Sequence, residues 1–185
     1  MEVLIFDRMD ECTEAEVQRM LPLISTQRRE QAMRYKHTFG RFCCLKSWLM
    51  LFDDVGMSRY RDAEWRYNEH GKPYIEGGPY FSISHCKEGI AVAIDNQPVG
   101  IDIESIRSAD EALIERTMNE EERLRIKELG GREFTRLWTQ KEAVVKAEGV
   151  GIQSFDQLQT IRVQSTEYRV RTFEKEKYIY SIAHK

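Results

Sequence analysis

Long hydrophobic runs are missing from this chain. No stretch approaches the ~20 consecutive apolar residues that span a bilayer, so no membrane-crossing helix is expected. The first ten residues, MEVLIFDRMD, also lack the charged-then-apolar layout of a secretory leader, and a cytoplasmic location is the expectation. Cysteine is sparse. Cys12, Cys43, Cys44 and Cys86 show no CxxC spacing, which argues against a thiolate zinc site and a disulfide framework alike, and free thiols are expected. Excess charge of one sign is absent too, because 28 Lys and Arg stand against 31 Asp and Glu. Acidic and basic residues interleave, so no general attraction to nucleic acid follows, and any anion must be held by a local basic pocket. No low-complexity tract or long linker divides the chain.

What is present is a chain of 185 residues, 41% of them hydrophobic, which can bury a substantial core. Residues 2–6 read as a strand. Thr13 with Glu16 forms a capping-box pattern opening a short helix, Ser25 opens a second that is rich in basic residues, and a third runs from about Arg41 to Phe52 before Val55-Gly56. Strands follow at 64–68, 79–85 and 89–95, with turns at 70–73 and 77–78, and VGIDIE adds another after Gln97-Pro98. Helices at about 109–117, 119–129 and 132–147 come next, then strands at 156–163, 167–173 and in YIYSIAH. Each half thus reads as strand, helices, then antiparallel strands. The fold class is α+β, with half-size units 1–98 and 99–185 packed on each other.

Three stretches can carry chemistry. In VGIDIE, strand alternation sends Val99, Ile101 and Ile103 to one face and Gly100, Asp102 and Glu104 to the other. Two carboxylates on one face can converge on a hard cation such as Mg²⁺ or Mn²⁺, although a D-x-E pair alone is better read as a solvated strand edge. A third carboxylate, for which Glu142 is the candidate, reverses that reading. In FTRLWTQKEAVVKAE, the residues Phe134, Leu137, Trp138, Val144 and Val145 form an apolar stripe. Lys141 points into its middle, where it could snorkel to water, while Glu142 and Lys146 lie one turn apart and could form an ordinary surface pair. In FSISHC, Ser84 and His85 point to opposite sides of an extended strand, so they make a poor nucleophilic dyad and better phosphate contacts.

In order, GKP (71–73), FSISH (81–85), VGIDIE (99–104) and FTRLWTQKEAVVKAEG (134–149) resemble the motif series of the surfactin-type 4′-phosphopantetheinyl transferases. The resemblance implies transfer of phosphopantetheine from coenzyme A to a serine of an acyl or peptidyl carrier protein, with release of adenosine 3′,5′-bisphosphate. It implies a pseudo-duplicated monomer with its active site in the cleft between halves. By the same matching, Asp102, Glu104 and Glu142 are the Mg²⁺ ligands, Glu142 is a candidate base, and Lys146 meets a coenzyme A phosphate. Lys141 would support the carboxylates. Lys72, Ser84 and His85 fall on coenzyme A contacts, and Arg28 stands near the nucleotide's 3′-phosphate. The helix after VGIDIE would receive the carrier through Leu113, Arg116 and Met118. Ser82 and Cys86 depart from the residues usual at their positions, and the chain is short for the type near its C-terminal end. A catalytically silent coenzyme A- or carrier-binding protein is the alternative, and a Mg²⁺-dependent phosphodiesterase is a third reading.

Overall fold

The computed structural model describes residues 1–54, 57–61, 63–151 and 155–185. Two three-stranded antiparallel sheets organise the chain. In the first, β1 (Glu2–Phe6) and β4 (Tyr80–Cys86) flank β5 (Gly89–Asp95). In the second, β6 (Val99–Ser105) and β7 (Arg169–Glu174) flank β8 (Tyr178–His184). Both have the order first, third, second, with helices between the first strand and the hairpin. The central strands explain two sequence features. GIAVAID and YIYSIAH are nearly continuous apolar runs because each is covered on both faces. β4 and β5 pair from Tyr80↔Asp95 to Cys86↔Gly89, leaving a two-residue turn.

Helices α1 (Glu14–Met20), α2 (Thr26–Met33) and α3 (Thr38–Leu49) cover the first sheet. Thr13 and Ser25 accept the backbone N–H groups of Glu16 and Arg28, so both caps form as read. The box at Thr13 is only half made, because Glu16 turns to Arg19 instead of reaching back. α3 begins at Thr38 and ends in a wider turn, Met50–Asp54; the stop expected at Val55-Gly56 lies outside the described residues. Its inner face packs Phe42, Leu45 and Trp48, and Trp48 stacks on Trp65 at 4.9 Å between ring centroids. Trp65 belongs to a short hairpin, β2 (Trp65–Tyr67) with β3 (Pro73–Ile75).

In the second half α4 (Glu111–Thr117), α5 (Glu120–Leu129) and α7 (Phe155–Thr160) surround the long α6 (Gly131–Glu148), which lies on β6 and β8. α6 comes unusually close to β6. A Cβ built on Gly100 would stand 1.9 Å from the Ala143 carbonyl oxygen, so only glycine permits this contact. Gly149, at φ +76°, closes the helix in the left-handed conformation with its N–H on Val145. The sheets meet through Ala91 and Ala93 against Val99, Ile101 and Ile103, and the Ser82 hydroxyl accepts the Ile101 N–H at 3.1 Å.

Two expectations fail. Residues 156–163 are helix α7 and a following turn rather than a strand. Phe155, Leu158 and Ile161 recur at helical spacing, and Leu158 is fully buried beside Trp138 and Val145. β3 has no counterpart in the sequence reading, which places only Pro73 in a turn, since three residues opening on proline give no alternation to see. Among the described residues no helix is long and apolar enough to cross a membrane.

Candidate active site

Three short motifs meet where α6 crosses β6. Asp102 is buried, and its Oδ1 accepts hydrogen bonds from the Ser84 hydroxyl at 2.8 Å and the Lys146 ammonium at 2.6 Å. Lys146 also donates to Ser84 at 3.0 Å. The surface-pair reading of Glu142 with Lys146 is therefore wrong: the ammonium crosses to the strand. Glu142, one turn back on the same flank, and Glu104, two residues along β6, line the same cavity of about 430 Å³ with Arg28, Ser84, His85, Asp102 and Lys146. A second cavity of about 370 Å³ adjoins it, sharing Pro73, Ile83, Glu142 and Lys146. It runs between the 70–73 turn and the C-terminal end of α6.

Charge crowding sets the chemistry. Burial, then the Asp102 carboxylate, pushes Glu142 up to about 7. The same two causes raise Glu104, partly offset by Arg107, Lys146 and a hydrogen bond from Trp138. Burial works against the Lys146 charge, but Asp102 and Glu142 outweigh it and hold the ammonium above its ordinary range. His85 is pulled down by surrounding protein and by Lys146, although its ring is exposed at the rim, edge-on to Phe39. Asp102 Oδ2 is buried without a hydrogen-bond partner. A buried acceptor left bare beside two more carboxylates suits a cation. Among the described residues no three acidic, His or Cys side chains are already gathered at metal-holding distance.

The remaining expected residues fall in different places. Arg28 lines the cavity, yet it is buried and its guanidinium donates to the Cys44 carbonyl, Gln31 and Ser47 while stacking 4.7 Å from Trp65. Lys72 reaches across the halves to the carbonyls of Val99 and Lys146, and burial pulls it down to about 8. Asn68, overlooked in the sequence, orders that turn by accepting the His70 and Lys72 N–H groups and donating to the Gly149 carbonyl at 2.7 Å. Leu113 is half-buried against the α6 core and Arg116 is exposed, pairing with Asp156. Met118 is fully buried in that core, which corrects its placement as an accessible anchor: it follows α4, where the chain turns inward.

Lys141 neither snorkels nor supports the carboxylates. It is 0% exposed, and its ammonium donates to Glu122 Oε2 at 2.6 Å and to the carbonyls of Thr117 and Leu158 at 2.9 Å each. Glu122 was readable as the last residue of an N-x-x-E capping box, and that box is complete. Its partnership with Lys141 was not.

Comparison with known proteins bears on this geometry. Residues 98–184 match the family model described as the 4′-phosphopantetheinyl transferase superfamily. The chain is 39% identical over 92 residues to 4′-phosphopantetheinyl transferase gsp of Aneurinibacillus migulanus, covering 48% of this chain and 39% of that protein. To 4′-phosphopantetheinyl transferase Sfp of Bacillus subtilis strain 168 it is 29% identical over 150 residues, 76% of this chain and 66% of the relative. To 4′-phosphopantetheinyl transferase AcpT of Salmonella typhi it is 38% identical over 98 residues, 46% and 50% of the respective lengths. The chain therefore spans between about two fifths and two thirds of the length of these relatives.

Proposed function

We propose that this chain, whose residues 98–184 match the 4′-phosphopantetheinyl transferase superfamily, transfers 4′-phosphopantetheine from coenzyme A to a carrier-protein serine. The observation that carries the reading is Lys146 bonded to both Asp102 and Ser84 beside Glu142, which brings FSISH, VGIDIE and WTQKEAVVK into one cavity. On this reading the two sheets of like order are the cores of two halves, 1–98 and 99–185, of a pseudo-duplicated monomer, with the reaction in the cleft between them.

The residues have separable tasks. A diphosphate entering the cavity meets the Lys146 ammonium and the Ser84 hydroxyl, donors that attract phosphate oxygens and stabilise charge developing on the leaving group. His85, held neutral at physiological pH, adds a hydrogen bond at the rim rather than a charge. Glu142, pushed up to about 7 in the metal-free cleft by burial and Asp102, is the candidate to accept a proton from the attacking serine. Asp102, Glu104 and Glu142 would hold Mg²⁺ or Mn²⁺; their all-oxygen donor set and the bare Asp102 Oδ2 fit such an ion. When bound, the metal offsets the anionic charge of the diphosphate. Arg28 and Lys72, with hydrogen bonds already directed to their own chain, support the cleft walls and contribute positive field toward the nucleotide.

Carrier docking is assigned to the α4–α5 side. A groove of about 640 Å³ there is lined by Ile114, Leu124 and Phe134, the cations Arg123 and Lys127 and the carboxylates Glu111, Glu115 and Glu120; Leu113 and Arg116 stand on α4 outside that lining. On the α5 side the exposed Leu124 stands beside Arg123 and Lys127, an apolar anchor with two cations that suits an acidic carrier surface. Incubating the protein with coenzyme A, Mg²⁺ and an apo-carrier while following release of adenosine 3′,5′-bisphosphate tests the reading. A silent binder would take up coenzyme A and release nothing.

A further inference from the structure

A lysine sealed in a protein core needs every proton partnered, and Lys141 has three partners from three helices. Thr117 ends α4, Glu122 caps α5, and Leu158 lies in α7, while Lys141 itself stands in the middle of α6. α4 and α7 also cohere with each other: Arg116 of α4 pairs with Asp156 of α7, and Gln159 donates to the Glu115 carbonyl. The ammonium therefore ties α4, α5 and α7 to α6 at one point, and α5 has a second tie to α6 in the Arg125–Glu133 ion pair. The next residue along α6 is Glu142.

We infer that Lys141 is a positioning residue: its ammonium fixes the α4–α7 unit in register with α6 and α5, so that a carrier held on the α4–α5 side presents its serine to the cleft. The inference rests on the docking assignment above. It follows from directionality. Apolar packing of Met118, Leu158 and Trp138 would hold the unit against α6 but would tolerate small slides, whereas three hydrogen bonds to fixed backbone and carboxylate oxygens would not. Coenzyme A, bound on the opposite flank of α6, should not sense the link.

The test uses Lys141→Met, Glu122→Gln and the double variant in the full chain. Lys141→Met alone strands a buried carboxylate and is expected to lose stability. The double variant strands no charge and is expected to regain most of it. Its carrier KM should nevertheless stay raised about tenfold, with the coenzyme A KM unchanged. Glu122→Gln, which keeps the side-chain shape, should raise the carrier KM about threefold, so the split is measurable in a mild variant as well. Amide hydrogen exchange gives a readout without catalysis: residues 113–119 and 157–161 should exchange faster in the double variant while 134–146 are unaltered. A wild-type carrier KM in both Glu122→Gln and the double variant, a parallel rise in both KM values, or unaltered exchange would overturn the inference. A wild-type protein that modifies no carrier would instead defeat the proposed function and leave the exchange result to judge the link.

Discussion

Replacing Glu142 by glutamine removes one negative charge from a site that holds three carboxylates. Folded Glu142 keeps its proton up to about pH 7, because burial and Asp102 disfavour the anion. The unfolded chain releases the same proton near 4.3. Between those values the folded state binds more protons, so this group contributes stability at low pH that is lost as pH rises through about 7. At ~1.4 kcal/mol per pH unit, the full span amounts to roughly 4 kcal/mol, and partial solvent access lowers this to about 1–3 kcal/mol. Glu142→Gln should therefore be as stable as wild type near pH 4 and more stable by about that amount at pH 8. For a chain of this size each kcal/mol corresponds to roughly 2–4 °C in Tm. The assay is thermal unfolding from pH 4 to 8 in metal-free buffer, with transfer activity measured on the same samples. The variant should be more thermostable at pH 8 and nearly inactive. Parallel Tm–pH curves for the two proteins would refute the charge-crowding argument.

Other substitutions probe the remaining geometry. Lys146→Met leaves Asp102, 3% exposed and already bare at Oδ2, without its ion partner, so denaturant titration should give a loss of about 3 kcal/mol and kinetics a raised coenzyme A KM. Gly100→Ala forces a methyl into the α6 backbone; it should cost about 3 kcal/mol or more and separate Asp102 from Lys146, abolishing transfer in whatever fraction stays folded. Arg116→Glu breaks an exposed pair with Asp156 and a contact over the Phe155 ring, so stability should change by about 1 kcal/mol, while the carrier KM rises at low salt and recovers as salt is added.

Much of this arrangement was legible in the sequence. β5, β6 and β8 stood out because buried strands write continuous or cleanly alternating apolar runs, and α6 because eighteen residues give its stripe several turns to repeat. Short elements were harder. Six residues of α7 and three of β3 give periodicity almost no length to act on. The convergence of Ser84, Asp102 and Lys146 followed from motif order, whereas their hydrogen bonding did not, since local patterns do not encode which flank of α6 meets β6. Gly100 was the available clue. Lys141 was conspicuous as a charge in an apolar stripe, but its three partners lie 17 to 24 residues away and no spacing rule predicts them. Met118 misled because a methionine beside an arginine at a helix end looks equally like an anchor and like core.

The central claim, that the Asp102–Lys146–Glu142 cleft carries out phosphopantetheine transfer, is tested most directly by the mass of an apo-carrier incubated with coenzyme A and Mg²⁺. Wild type and Asp102→Asn are run side by side. Wild type should add a single phosphopantetheine group to the carrier serine, and Asp102→Asn, still folded, should add almost none over the same period. An unmodified carrier with the wild-type protein, or equal modification by both, would contradict the account.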